Sequence, residues 1–316
     1  MSASERDMGR GDERRRDRQV GDMTSTGTEI PWGVDSEHGR LRDVLLCRPD
    51  NFRWLPTSAI SRATLESGRR YDPAAAERQH AELVAAYEEA GVRCHYLEPD
   101  PVLPYQVFAR DSSAMTPWGP VITQLRQWWR RGEYAPAIRF YEGAGIPIFR
   151  MVTAAALEGG DVMLIEPGSV LIGAGEGRTQ EPAARQLAGW FEEAGWEARI
   201  EPVPSRYVHI DVLVAIIADR LAAVCSEVVS TSLISWLRGK RFDLIEVAAG
   251  DAFRLGVNAV SLGAERVLSG AAATPLNQAL RASGLEVLEP DLEMFTLGGG
   301  GAHCLGQALR RERLGG

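Results

Sequence analysis

Cysteine is scarce in this 316-residue chain: there are four, Cys47, Cys94, Cys225 and Cys304, and no two form a CxxC pair. That scarcity excludes a disulfide-stapled framework and the common thiolate zinc sites, and it fits a reducing cytoplasm. A long hydrophobic run is missing as well. No stretch reaches the roughly 18 apolar residues of a membrane span, and the first residues are charged rather than built as a secretion signal. Excess positive charge is absent, since the formal net charge is −8. This argues against a nucleic-acid or membrane-surface partner and leaves a small molecule as the expected ligand. Three catalytic fingerprints are lacking too. The first apolar run, Leu45-Leu46-Cys47, leads into Arg48-Pro49 and not into a GxGxxG loop, and neither GxSxG nor HExxH occurs, which weakens the dinucleotide-binding, serine-hydrolase and zinc-protease readings.

What is present begins with a composition of 45% hydrophobic and 25% charged residues, normal for a globular protein with a large core. Residues 1–28 stand apart. Their arginines, Arg6, Arg10, Arg14, Arg15, Arg16 and Arg18, alternate with Asp7, Asp12, Glu13 and Asp17 and accompany almost nothing apolar, so this segment reads as a disordered tail with no net basic patch. Residues 29–316 read as one catalytic domain built of repeats. Five times a helix-patterned segment ends at a glycine and hands over to a short strand, at Gly91, Gly145, Gly195, Gly239 and Gly284. The spacing of about 44 to 54 residues is that of one supersecondary unit, and each glycine is a plausible left-handed helix stop. Asp72-Pro73 and Thr274-Pro275 each place a capping side chain before a proline at the first helical position. Five like units of a few strands and one helix suggest a closed ring over an open parallel sheet.

One polar phrase recurs in each unit. In order these are Phe108-Ala109-Arg110-Asp111, Glu158-Gly159-Gly160-Asp161, His209-Ile210-Asp211, Gly256-Val257-Asn258, and the run Gly298-Gly299-Gly300-Gly301-Ala302-His303-Cys304. Taken singly, each has a plain reading: an exposed turn pair, a hairpin turn, a satisfied core histidine, or a glycine loop ending in a buried thiol. Their common period changes the balance, because equivalent positions in a ring of units converge on its axis. His209 and Asp211, two apart on an expected strand, would project from one face, and burying both requires a network or a ligand. Cys304 is then a nucleophile among a base and carboxylates. Negative charge raises a thiol pKa, so such a site makes sense for a cationic substrate, and a planar guanidinium matches paired carboxylates. One histidine, carboxylates and a thiol form a mixed set that suits no metal, and no cofactor motif is present.

These phrases, together with Ser36-Glu37-His38-Gly39-Arg40-Leu41, resemble the guanidine-modifying (pentein) superfamily of arginine deiminases, dimethylarginine dimethylaminohydrolases and amidinotransferases. The resemblance is colinear from about residue 30 to the C-terminus. It implies a five-bladed α/β propeller of ββαβ-type repeats. It also implies that Cys304 forms a covalent thiouronium adduct, that His209 protonates the departing amine and then helps activate water, and that Glu158, Asp111 and Asp211 hold the guanidinium nitrogens, with Glu158 also catalytic as a proton relay. Asp161 and Arg178, the latter in Gly175-Glu176-Gly177-Arg178-Thr179, would contact the amino-acid end of the substrate, and Arg130 or Arg131 would add a carboxylate contact unless they are a solvated helix start. Glutamate at position 158, where amidinotransferases tend to carry aspartate, favours a hydrolase of arginine or an N-substituted arginine over an amidinotransferase. The oligomeric state is left open, a homo-oligomer included.

Overall fold

Strand pairing in the computed structural model, which describes residues 31–314, falls into five three-stranded sheets. The tail expected at residues 1–28 lies outside the described residues. The first two strands, β1 (Leu41–Cys47) and β2 (Arg93–Leu97), run parallel. Two complete units follow: β3 (Ser113–Thr116), β4 (Gly119–Ile122) and β5 (Arg150–Met151), then β6 (Val162–Glu166), β7 (Ser169–Ala174) and β8 (Glu197–Pro202). Next come β9 (Val214–Ala218), β10 (Leu221–Val224) and β11 (Asp243–Glu246), then β12 (Val260–Gly263), β13 (Arg266–Leu268) and β14 (Glu286–Leu288). The last strand, β15 (Gln307–Arg311), pairs antiparallel with β1, so the two ends of the described chain build one blade together. In every sheet an antiparallel pair, a hairpin in four sheets and β15 with β1 in the fifth, is extended by a third strand that runs parallel to one member of the pair. That parallel step demands a crossover, and a helix makes it each time. The molecule is a five-bladed α/β propeller of ββαβ units.

The crossover helices are Pro73–Glu89, Tyr134–Gly143, Glu181–Glu193, Thr231–Gly239 and Thr274–Ala282. Asp72 caps the first as its sequence requires, accepting the N–H groups of Ala74 and Ala75 at 3.0 and 3.2 Å. Thr274 does not cap the last. It is the first helical residue there, behind Ala273, and no side chain bonds the free N–H groups. Helix Glu181–Glu193 shows how the helices bind the sheets: Ala183, Ala184, Leu187, Ala188 and Phe191 are buried on one face. Side chains of the size of Leu187 and Phe191 contribute about 1.5 to 3 kcal/mol each when removed from water.

Four of the five expected glycine stops take the left-handed conformation, Gly91 at φ 75°, Gly145 at 68°, Gly195 at 79° and Gly284 at 85°. The fourth junction differs. Gly239 is the last helical residue, Lys240 is the cap, and the left-handed position falls on Arg241 at φ 65°. The glycine there stands two residues too early to serve the turn.

Each blade's innermost strand is entered through a short turn that carries one polar phrase. Asp111 lies in the turn Ala109–Ser112 before β3, Asp161 in Gly159–Asp161 before β6, and Asp211 in Ile210–Val212 before β9. Asn258 stands two residues before the start of β12, and Cys304 sits in the short helix Ala302–Leu305 before β15. These turns pack against one another at the centre of the ring.

Candidate active site

His209 is extended backbone at the start of its turn, and Asp211 is within that turn, so the pair is not on a strand. The two side chains also part company. His209 Nε2 lies 2.9 Å from Glu158 Oε2, and its Nδ1 lies 3.6 Å from Asp111 Oδ1. Glycines make this approach possible. A Cβ on Gly160 would collide with His209 Nδ1, and one on Gly159 with the Arg110 carbonyl, which explains why Glu158-Gly159-Gly160-Asp161 enters a strand and is not a hairpin turn. Burial opposes the charge on His209, but Asp111, Asp161 and Glu158 override it and hold the imidazole up to about 9. Burial likewise opposes ionisation of Glu158, yet Arg178 first and then His209 keep it well below the usual carboxylate range. The site therefore holds a proton on His209 at neutral pH.

Cys304 is 4% exposed, and its Sγ is 3.7 Å from Asp211 Oδ2 and 3.5 Å from Asn258 Oδ1. The same Asn258 oxygen accepts the His303 N–H at 2.9 Å and the Cys304 N–H at 3.4 Å, fixing the turn that carries the thiol. The glycine run serves close approach: a Cβ on Gly300 would strike the Phe108 ring, and one on Gly301 would lie 2.7 Å from Asn258 Oδ1. Burial, Asp211 and Asp111 push the Cys304 thiol well above its ordinary value. Beneath it runs a buried polar chain. His303 Nδ1 is 2.9 Å from Asp211 Oδ2, His303 Nε2 is 3.5 Å from Glu37 Oε2, and Arg110 Nη2 donates to Glu37 Oε1 at 3.2 Å. One Asp211 oxygen is thus shared by the thiol and His303. The other, Oδ1, is buried without a hydrogen-bond partner among the described residues.

The expected substrate-binding residues divide. Asp111 is buried, not an exposed turn residue; its Oδ2 accepts from Arg130 Nη1 at 2.8 Å and its Oδ1 from the Gly160 N–H at 3.1 Å. Arg178 donates to Glu158 Oε2 and to the Thr57 carbonyl, both at 3.1 Å. Asp161, expected at the amino-acid end of a substrate, instead accepts the Ile210 N–H at 2.8 Å and buttresses the turn that holds Asp211. Burial pushes its carboxyl up to about 6. Arg130 is neither a solvated helix start nor a free cation. Its guanidinium grips Glu133 through two bonds of 2.8 and 2.7 Å and reaches Asp111 as well, while Arg131 is exposed.

Glu37, Arg110, His303 and Glu133 belong to this buried network, although the sequence patterns assign them no role. Arg110 and His303 stand beside Asp111 and Cys304 and share the period of those phrases; Glu37 lies in the Ser36–Leu41 phrase, outside that period, and Glu133 in Arg-Gly-Glu-Tyr carries no such signal. Asp111, Glu158 and His209 offer ligand atoms within 4.8 Å of one another. The guanidinium groups of Arg130 and Arg178 already sit on those carboxylates, a charge environment that disfavours a divalent cation. Among the described residues no helix is long and apolar enough to cross a membrane.

Known proteins resemble this chain in sequence and in fold. The family model described as N,N dimethylarginine dimethylhydrolase, eukaryotic, matches residues 49–311. The chain is 31% identical over 278 residues to the uncharacterized protein YkgA of Bacillus subtilis, covering 87% of this chain and 94% of that protein. It is 28% identical over 233 residues to the N(G),N(G)-dimethylarginine dimethylaminohydrolase of Mycobacterium tuberculosis, covering 74% and 75%. Among solved structures, AgrE in complex with ornithine and NAD+ shares the fold at a TM-score of 0.73 and 23% identity over 86% of this chain. This chain spans 40% of the length of AgrE.

Proposed function

Since the chain belongs to the N,N dimethylarginine dimethylhydrolase family of guanidine-modifying hydrolases, we propose that it hydrolyses the guanidine of arginine or an N-substituted arginine through a thiouronium intermediate on Cys304. The observation that carries this reading is Asp211, whose one oxygen borders the thiol while the other is buried and unpartnered. A guanidinium N–H fills that need with a charge-assisted bond.

In the free site the thiol keeps its proton, because burial first, and then Asp211 and Asp111, oppose a thiolate. A bound guanidinium reverses the balance: it offsets Asp211 and Asp111, the thiol proton passes to bulk water, and the thiolate attacks the guanidinium carbon. His209, already protonated, gives its proton to the departing amine as the C–N bond breaks. The neutral imidazole then takes a proton from water, whose oxygen attacks the thiouronium carbon. The C–S bond breaks, the product's remaining hydroxyl proton passes to the released sulfur, and a neutral ureido product leaves with Cys304 again a thiol and His209 again protonated. Glu158 keeps His209 oriented through the 2.9 Å contact, and Arg178 faces the far end of the substrate. Residues from about 29 onward act as the one catalytic domain, and the four unpaired cysteines suit a reducing cytoplasm.

The test is product analysis with arginine and N-methylated arginines in the absence of any amine acceptor. Ureido product with release of ammonia or the matching methylamine supports hydrolysis. Product that forms only when an amine is supplied would overturn it in favour of amidino transfer.

A further inference from the structure

We infer that the mouth of this site is built for a carboxylate and against an ammonium group, so that its best substrates are ω-guanidino acids without an α-amine; this rests on the guanidine-hydrolase reading above. A cavity of about 170 Å³ opens beside Arg178, with Arg62 and Arg206 as its other charged lining residues and Ser58 and Ser205 supplying hydroxyl groups. It adjoins the catalytic pit twice, through Arg178, which bonds Glu158, and through Val208, the neighbour of His209.

Among the described residues no aspartate or glutamate lines this cavity. Arg178 has Glu158 as its ion-pair partner, whereas neither Arg62 nor Arg206 has a carboxylate within 4.0 Å among the described residues. Arg206 is nonetheless held in place, its guanidinium stacked over the rings of Tyr207 at 5.3 Å and Phe253 at 5.0 Å. Arg62 rides on the helix Ala59–Glu66, whose start is fixed by a capping box between Ser58 and Ser61. Two side chains expected near a substrate's amino-acid end are engaged elsewhere: Arg130 is bound to Glu133 and Asp111, and Asp161 accepts from Ile210.

The result is a field with two poles, carboxylates on the floor and guanidinium groups at the rim. A molecule with a cation at one end and an anion at the other is oriented by both, guanidinium inward. An α-ammonium beside the carboxylate cancels the outer charge. An amine alone would sit among three arginines.

Three probes of like length separate these cases: 5-guanidinopentanoate, L-arginine and agmatine. We expect kcat/KM to fall in that order, with the acid ahead of agmatine by about tenfold or more at low salt and the gap narrowing as salt rises. In the double variant Arg62→Gln/Arg206→Gln, KM for the acid should rise and kcat/KM for agmatine should improve, so the preference collapses. Agmatine matching the acid in the natural protein, or a preference untouched by the double variant, overturns the inference. If no probe gives a ureido product, the hydrolase reading fails instead. The mouth is then judged by calorimetric affinities of the three probes for the Cys304→Ser protein, where the same order supports it and the reverse order overturns it.

Discussion

Replacing Asp211 with asparagine should move two properties of the site in opposite directions. Cys304 Sγ is 3.7 Å from Asp211 Oδ2, and unit charges at about that separation interact by about 4 kcal/mol at an effective dielectric near 20. His303 lies 2.9 Å from the same oxygen. Burial and Arg110 oppose its charge, but Asp211 and Glu37 raise its pKa, so His303 offsets part of the repulsion. What remains is about 1.5 to 3 kcal/mol against the thiolate, so removing the charge makes the thiol clearly more acidic. Asparagine keeps the shape and an oxygen for His303, so the change is mainly one of charge. Iodoacetamide reacts with the thiolate, and its rate at neutral pH should rise by about tenfold or more in the variant. Turnover should fall, because the guanidinium loses a charge-assisted bond worth about 1.5 to 3 kcal/mol, which is about 10- to 100-fold in kcat/KM. If alkylation slows along with turnover, the claim that Asp211 restrains the thiol is refuted.

Other consequences follow from the same geometry. His209 keeps its proton up to about 9, so kcat should decline as pH rises through that value, and a flat profile to pH 10 would contradict its role as proton donor. The sign for stability is the same: a histidine raised from 6.5 to about 9 contributes stability that is complete below 6.5 and lost as pH rises through 9, measurable by urea unfolding. Glu133→Ala would leave Arg130, 2% exposed, without its two-pronged partner, and should cost about 3 to 5 kcal/mol in urea denaturation. Arg241→Gly relieves a left-handed non-glycine residue at φ 65° on the exposed surface and should stabilise the protein by about 0.5 to 1 kcal/mol, the strain less the added chain entropy of glycine.

The ring was legible because repetition in the sequence is repetition in space. Glycine stops and polar phrases kept one period, and Asp111, Asp161, Asp211, Asn258 and Cys304 each enter an inner strand through a short turn. Partnerships were less legible, because period says which residues converge but not which way they turn. His209 faces Glu158 while Asp211 faces Cys304 and His303, since a tight turn and not a strand separates them. Asp161 keeps the repeat position but supports a backbone N–H. Arg130 and Glu133 bond each other three residues apart in a segment with no repeat signal, and only tertiary packing shows that both are buried. At the fourth junction a glycine was visible, but the two-residue offset to Arg241 depends on where the helix ends.

The covalent step is tested most directly by mass spectrometry of the protein quenched in acid during turnover of arginine. The account predicts a species heavier than the free protein by the mass of arginine less one ammonia, mapped to Cys304 and absent from the Cys304→Ser variant. Steady turnover by that variant, or an adduct on Cys47, Cys94 or Cys225 in place of Cys304, would contradict it.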